Sequence, residues 1–402
     1  MSQVNNHESV PNKHHDLNSK FNRRMLLKLV AATGLTAALG EVLRTSAPWL
    51  DYDQQARQTW EVPFRKTETL SAQMLELIRY TTLAPSGHNA QPWKFAPQGN
   101  TVRIIPDYAR RLPVVDPQNR ELWISLGCAL ENLVISADAA GYGADVTYPA
   151  SGADHITIHL QKSLDREPAS LTDSIHAGST LNKTVLFEAI PHRQNTRSLY
   201  DGRSMLPADI EQIKAVSVNA GVSMQIFTDS GHKEAILEYI KAGDVGQYAD
   251  PLFVNELVSW LRFNKPEALH TLDGLYSHCS GNPNVPRWLG KRFISSGSAG
   301  QQSVTDEKAV RSSSGLLVIA AAQDDKQHWI ETGRLYERLA LTLTASGMKM
   351  AFLNQPVEVS ELRSQFRDYL KLVTAQPQLV LRFGYAAPMP RSLRRSLKEV
   401  LV

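Results

Sequence analysis

Two stretches of this 402-residue chain gather side chains whose types and spacing could do chemistry. In the run Ala84-Pro85-Ser86-Gly87-His88-Asn89-Ala90-Gln91-Pro92-Trp93, a hydroxyl and two amides lie on a turn that Pro92 stiffens. Ser86, Asn89 and Gln91 can match alternating donors and acceptors along the edge of a flat heterocycle, although an ordinary Asx-rich turn has the same composition. In Pro191-His192-Arg193-Gln194-Asn195-Thr196-Arg197-Ser198-Leu199-Tyr200, two forked guanidiniums flank Asn195 on alternate residues. On an extended segment Arg193 and Arg197 can both face a phosphate monoester, with the Asn195 amide donating to one of its oxygens. A solvated basic loop is the plain alternative.

The elements that position these groups show an internal similarity. The segment from Glu121 to Gly141 recurs from Gln327 to Gly347 at one constant offset, pairing Gly127, Glu131, Leu133, Ala139 and Gly141 with Gly333, Glu337, Leu339, Ala345 and Gly347. Both segments are apolar at helical spacing and end at glycine. Strand-like runs surround them: 102–106, 144–148 and 155–160 in the first half, 223–228, 316–321, 348–353 and 378–385 in the second. The expected architecture is α+β, with a first half over 69–182 and a larger second half over 183–402. Helical pieces at 233–241 and 251–262 and a Gly/Ser/Pro-rich loop at 280–303 form an insertion over about 231–310, read as a lid.

Composition narrows the function classes. A formal charge of +3, with 43 basic residues spread among 40 acidic ones, gives no reason to expect nucleic-acid binding. Cys128 and Cys279 provide neither a disulfide framework nor paired metal ligands. His155 and His159 share a strand face but have no third ligand nearby, and His278-Cys279 is no stronger, so no metal is expected. Walker A, Rossmann and nucleophile-elbow patterns are missing. At the N-terminus a polar leader precedes Asn22-Arg23-Arg24-Met25-Leu26-Leu27-Lys28 and a short apolar run to Leu39, with a polar linker expected over 49–68. That run is about half the roughly 20 residues needed to span a bilayer. The order of features resembles a twin-arginine signal over 1–48. It implies export of a folded protein through the twin-arginine translocase, to a periplasmic or membrane-associated location.

Ser-x-x-Asn-x-Gln-Pro-Trp, followed by Phe95, resembles the flavin-contacting loop of the nitroreductase family, and the Arg193–Arg197 segment resembles its phosphate-binding segment, with Asn195 where serine is usual. Leu379-Val380-Leu381-Arg382-Phe383-Gly384-Tyr385, then Pro388, Pro390 and Arg391, is similar to the C-terminal strand whose following arginine completes that site. The resemblance implies Arg391 first and Arg394 second for the phosphate, with a basic surface helix as the other reading. It implies Leu353 and Asn354 for the backbone passing the flavin. The amide loop lies in the first half and the arginines in the second, an arrangement that resembles the fused, twin-arginine-bearing Acg-like subgroup. The implied protein is a monomer acting as a pseudo-dimer with one FMN site. The implied reaction is hydride transfer from NAD(P)H or another donor through flavin N5 to a nitroaromatic, a quinone or another small-molecule acceptor, with no catalytic side chain. A non-catalytic protein that holds FMN beneath a closed lid is the alternative.

Overall fold

The computed structural model describes residues 51–149, 153–162, 183–216 and 221–402. The twin-arginine reading falls outside these residues. Two four-stranded antiparallel sheets are built on two long helices. The first sheet contains β1 (Trp93–Gln98), β2 (Thr101–Pro106), β3 (Tyr142–Thr147) and β4 (Ile156–Lys162), in the order β1-β2-β4-β3. The second contains β5 (Val222–Phe227), β8 (Gly315–Ala321), β9 (Lys349–Phe352) and β10 (Gln376–Gly384), in the order β5-β8-β10-β9. A small parallel pair, β6 (Leu261–Arg262) with β7 (Leu275–Tyr276), lies in the insertion.

Alternation along the strands decides which faces are covered. β3 alternates between half-buried and exposed positions, so the edge of the first sheet has one wet face. Every residue of β8 is buried. Its Leu317 and Ile319 join the main core, whereas Leu316 and Val318 join a second cluster with Ile236, Leu237 and Phe366 from the opposite side. The insertion therefore gives the second sheet a cover that the first lacks.

In chain order the helices are α1 (Tyr52–Trp60), α2 (Leu70–Thr81), α3 (Arg120–Ala139), α4 (Lys183–Ala189), α5 (Pro207–Lys214), α6 (Ser230–Ala249), α7 (Pro251–Trp260), α8 (Lys265–Thr271), α9 (Arg287–Ser295), α10 (Ala299–Arg311), α11 (Lys326–Ala345), α12 (Gln355–Glu358), α13 (Ser360–Tyr369) and α14 (Leu397–Val400). The matching helices α3 and α11 meet where Gly127 lies against Gly333. A Cβ added to Gly333 would stand 1.9 Å from the Ile124 carbonyl oxygen, and one added to Gly127 would stand 2.1 Å from that of Ile330. Only glycine permits this backbone approach. α3 is long and apolar enough to span a bilayer, but it is buried as a core helix.

Two expectations need correction. The segment 49–68, read as a linker, contains α1, which starts at an Asp51 cap and buries Tyr52 and Trp60. The loop expected at 280–303 contains α9 and the start of α10. Ser298 caps α10, and Gly290 allows α9 to pack against the Phe263 ring. In both places polar and small residues hid helices whose cohesion is mainly tertiary.

Edge bridges tie the pieces together. Val402 N–H donates to the Phe95 carbonyl (3.0 Å), placing the C-terminus beside the first sheet, and Thr196 N–H donates to the Met350 carbonyl (2.9 Å), placing the arginine segment beside the second.

Candidate functional site

The turn after α2 is held in a costly conformation. His88, Asn89 and Gln91 have φ of 50°, 53° and 53°, a region that costs a non-glycine residue about 1 kcal/mol each. Hydrogen bonds hold it there. Ser86 Oγ accepts from Gln91 N–H (2.9 Å), and Gly87 N–H donates to Ser125 Oγ (3.3 Å). The Gln91 amide donates to the Leu272 carbonyl (2.9 Å) and accepts from Arg395 N–H (2.8 Å). Asn89 Nδ2 donates to the carbonyls of Gly274 (3.2 Å) and Leu393 (3.3 Å), and its Oδ1 accepts from Arg394 (2.9 Å). The first half's turn is thus stitched to two separate segments of the second half.

Beside it lies a cavity of about 120 Å³, lined by Ser86, Asn89, Arg193, Asn195, Arg197, Arg391 and Arg394 among others. Arg394 is buried and spends its N–H groups on the carbonyls of Thr82 (3.0 Å), Leu83 (3.3 Å) and Ala84 (3.2 Å) as well as on Asn89. Arg391 donates to the carbonyls of Arg193 (3.1 Å) and His192 (3.0 Å). The Arg391 and Arg394 guanidinium carbons stand 4.7 and 4.8 Å from the Trp60 ring centre. Burial first, and then the neighbouring guanidiniums, lower Arg391 to about 10 and Arg394 to about 9. Arg193 is buried with its Nε 3.2 Å from Glu337 Oε1, yet that Nε has no aligned acceptor. Burial raises the Glu337 carboxyl to about 7 against the pull of Arg193, which leaves the cluster with incomplete negative compensation. Three mutually repelling cations and one orphaned buried donor suit an anion with several acceptor oxygens, which is what a phosphate monoester offers.

Arg197 occupies a different place from Arg193. It lines both this cavity and a larger neighbour, keeps a large accessible surface there, and makes no hydrogen bond or ion pair with a described residue. Burial and Arg197 together hold the nearby His88 down at about 4, so His88 is neutral at physiological pH.

Ser86, Asn89, Arg193, Asn195, Arg197, Arg391 and Arg394 therefore come together on one cavity, while Gln91 and Leu353 stand behind its wall. Asn195 reaches the cavity with its Oδ1 accepting from Tyr336 (2.8 Å). Asn354 lines a smaller adjoining cavity with Ser86 and Phe352, and its Oδ1 accepts from Val380 N–H (3.0 Å). The sequence reading missed Trp60 and Tyr52 of α1, whose side chains donate to the carbonyls of Ser392 (2.8 Å) and Arg391 (2.7 Å). An Asp51 cap followed by a helix-length interval ending at Trp60 was the available signal. His159 bonds Asn100 (3.0 Å) and Thr101 (3.3 Å), and no metal-holding group of three or more His, Cys, Asp or Glu occurs among the described residues.

No family model matches the chain. It is similar to the Mycobacterium tuberculosis protein named "Putative NAD(P)H nitroreductase Rv3131", with 23% identity over 354 residues, covering 84% of this chain and 92% of that one. It is also similar to the M. tuberculosis protein named "Putative NAD(P)H nitroreductase acg", with 24% identity over 334 residues, covering 80% of this chain and 93% of that one. Among solved structures, the FMN-dependent nitroreductase NfnB from Mycobacterium smegmatis in complex with NADPH aligns with a TM-score of 0.34 and 14% identity, over 54% of this chain and 96% of that one. Oxidized iodotyrosine deiodinase bound to FMN and 3-iodo-L-tyrosine aligns with a TM-score of 0.33 and 12% identity, over 52% and 95%.

Proposed function

We propose that this chain is an FMN-dependent oxidoreductase of the nitroreductase-like kind, with one cofactor site at the junction of two fused halves. The observation that carries the reading is the cluster of Arg193, Arg391 and Arg394 around a buried N–H with no aligned acceptor, facing a strained turn from the other half. Similarity across 84% of the chain to a relative whose name includes NAD(P)H nitroreductase supports it.

Arg193, Arg391 and Asn195 would hold the phosphate, and the Ser86 hydroxyl is placed to donate to the ring edge. When bound, FMN supplies two-electron hydride chemistry between NAD(P)H and an acceptor such as a nitroaromatic or a quinone. The protein's part is positioning. Arg394 clamps the 82–84 carbonyls and Asn89, fixing the turn against the C-terminal segment. Trp60 covers the two C-terminal guanidiniums, which strengthens their pull on an anion. Neutral His88 contributes no competing charge.

The Gly127–Gly333 contact supports a fused repeat acting as a monomeric pseudo-dimer. The order of residues 22–39 supports export through the twin-arginine translocase. Changing Arg23→Lys with Arg24→Lys, in a fusion of residues 1–48 to a reporter, is expected to keep the reporter in the cytoplasm. Unchanged export would reject that reading.

Purified protein is expected to show flavin absorbance that bleaches on anaerobic mixing with NADPH. Colour that persists identifies a holding protein, and a colourless protein that cannot be loaded with FMN rejects both readings. Arg193→Ala with Arg391→Ala is expected to remove the flavin. Full retention would show that the phosphate lies elsewhere.

A further inference from the structure

We propose that the outer face of α9 docks on the anionic surface of a lipid bilayer, with the Trp288 indole at the headgroup boundary and Lys291 and Arg292 on the lipid phosphates. α9 reads RWLGKRFIS and contains no acidic residue. Its inner face is spent on the protein, where Leu289 is buried and Gly290 lies against the Phe263 ring. Residues at i, i+3, i+4 and i+7 share the other face, which carries Trp288, Lys291, Arg292 and Ser295, all exposed. Trp288 is 55% exposed, although an indole left in water forgoes more apolar burial than most side chains do. The Lys291 and Arg292 side chains make no hydrogen bond or ion pair with a described residue. By contrast, Arg287 on the same helix is held by Glu267 (2.9 Å) and Arg311 on α10 by Glu234 (2.8 Å). An indole flanked by such cations matches the bilayer interface, where the ring sits among headgroups and the cations meet phosphates.

Neighbouring elements extend this face and orient it. Arg287 at the start of α9 donates to the carbonyls of Val258 (3.3 Å) and Leu261 (3.2 Å) at the end of α7. A Cβ on Gly297, just past the end of α9, would stand 3.7 Å from the Tyr248 ring, just before α7 begins. The two helices are therefore antiparallel. Leu252, 65% exposed on the first turn of α7, lies at the end of α9 that bears Phe293, itself 46% exposed. At the opposite end, α8 connects α9 to the place where the described chain begins. Glu267 of α8 holds Arg287, and the adjacent Ala268 packs with Tyr52 of α1. Residues 22–39, proposed above to direct export, thus join the described chain on the side of the insertion that carries Trp288. One indole and two cations give weak, reversible attachment, which suits a surface that steadies a protein whose N-terminus is delivered to a membrane. That delivery rests on the twin-arginine reading. The charge and exposure of α9 do not.

The test uses the full chain and phosphatidylcholine vesicles with or without phosphatidylglycerol, read by co-sedimentation, with melting temperature measured in parallel. Binding is expected to need phosphatidylglycerol and to weaken with salt. Lys291→Gln with Arg292→Gln should weaken it about thirtyfold and Trp288→Ala about tenfold, while Arg65→Gln with Lys66→Gln, an exposed pair elsewhere, should change it less than about twofold. Melting temperatures should hold in all three, because every one of these side chains is exposed. Vesicles with brominated acyl chains should quench more tryptophan emission in the wild type than in Trp288→Phe, which keeps an apolar ring at that position. Binding that ignores the α9 variants, or that falls equally when Arg65 and Lys66 are changed, overturns the proposal. Equal quenching in wild type and Trp288→Phe overturns it too, as does equal binding to vesicles lacking phosphatidylglycerol. If Trp288→Ala instead abolishes a concentration-dependent rise in sedimentation coefficient without lipid, the face binds a second copy of this chain and the proposal fails.

Discussion

Glu131 and Glu337 stand at matching positions of the two central helices, and both are completely buried. Their surroundings differ. Glu131 accepts from Arg334 Nε (2.9 Å) and Arg338 Nε (2.8 Å), and Arg334 is steadied in turn by the Tyr148 hydroxyl (2.7 Å). Glu337 accepts from the Asn132 amide (2.9 Å) at Oε1, has one misaligned guanidinium 3.2 Å away, and keeps its other oxygen without a hydrogen-bond partner. Continuum physics makes a buried carboxylate expensive unless its lone pairs are satisfied. The first position is therefore a closed structural network, and the second remains electrostatically unfinished at the one that borders the arginine cavity. Matching scaffold positions thus carry a closed ion-pair network in one half and an incompletely satisfied carboxyl beside Arg193 in the other.

The comparison can be broken most severely at the helix contact on which both glutamates depend. Gly333→Ala places a methyl group inside the backbone of α3, and its cost is expected to be about 3 kcal/mol or more, read as loss of soluble protein or a collapsed melting temperature. A smaller effect should separate the two carboxylates. Glu131→Gln removes the buried carboxylate that half-buried Arg334 and Arg338 share and should cost roughly 3 kcal/mol in denaturant unfolding at neutral pH.

Glu337→Gln should cost much less at neutral pH, and its effect should change with pH. The Glu337 carboxyl is raised from 4.5 to about 7, so the folded state holds a proton that the unfolded chain has released. Its contribution to stability is complete below pH 4.5 and is lost as pH rises through about 7. Relative to the variant, the wild type should therefore lose about 3 kcal/mol across that window. A flat difference in melting temperature between acid and neutral pH would show that the two glutamates are equivalent after all.

Much of the scaffold is legible in the sequence. Short strand-like runs located β2, β5, β8 and β10, and the recurring Gly, Glu and Leu positions located α3 and α11, because those patterns are local consequences of burial. The helix α1 was not legible. Tyr52 and Trp60 are its only buried residues, and the rest of YDQQARQTW is polar enough to read as a linker. α9 and α10 were obscured by the Gly, Ser and Pro content around them, although Ser298 is an ordinary cap.

The site divides along the same line. Residue type and spacing marked Ser86, Asn89, Gln91, Arg193, Asn195 and Arg197 as polar groups in short, turn-rich or extended segments, suited to a heterocycle edge and a phosphate, while Arg391 and Arg394 followed only from the resemblance of the C-terminal strand. Only the tertiary structure decided which of them share a surface. It turned Gln91 toward Leu272 and Arg395, set Arg193 against Glu337 and placed Arg197 where the junction cavity meets a larger chamber. Spacing along a chain specifies which side of a segment a side chain leaves from. Its partner is chosen by residues hundreds of positions away, through burial and charge balance that no local pattern encodes.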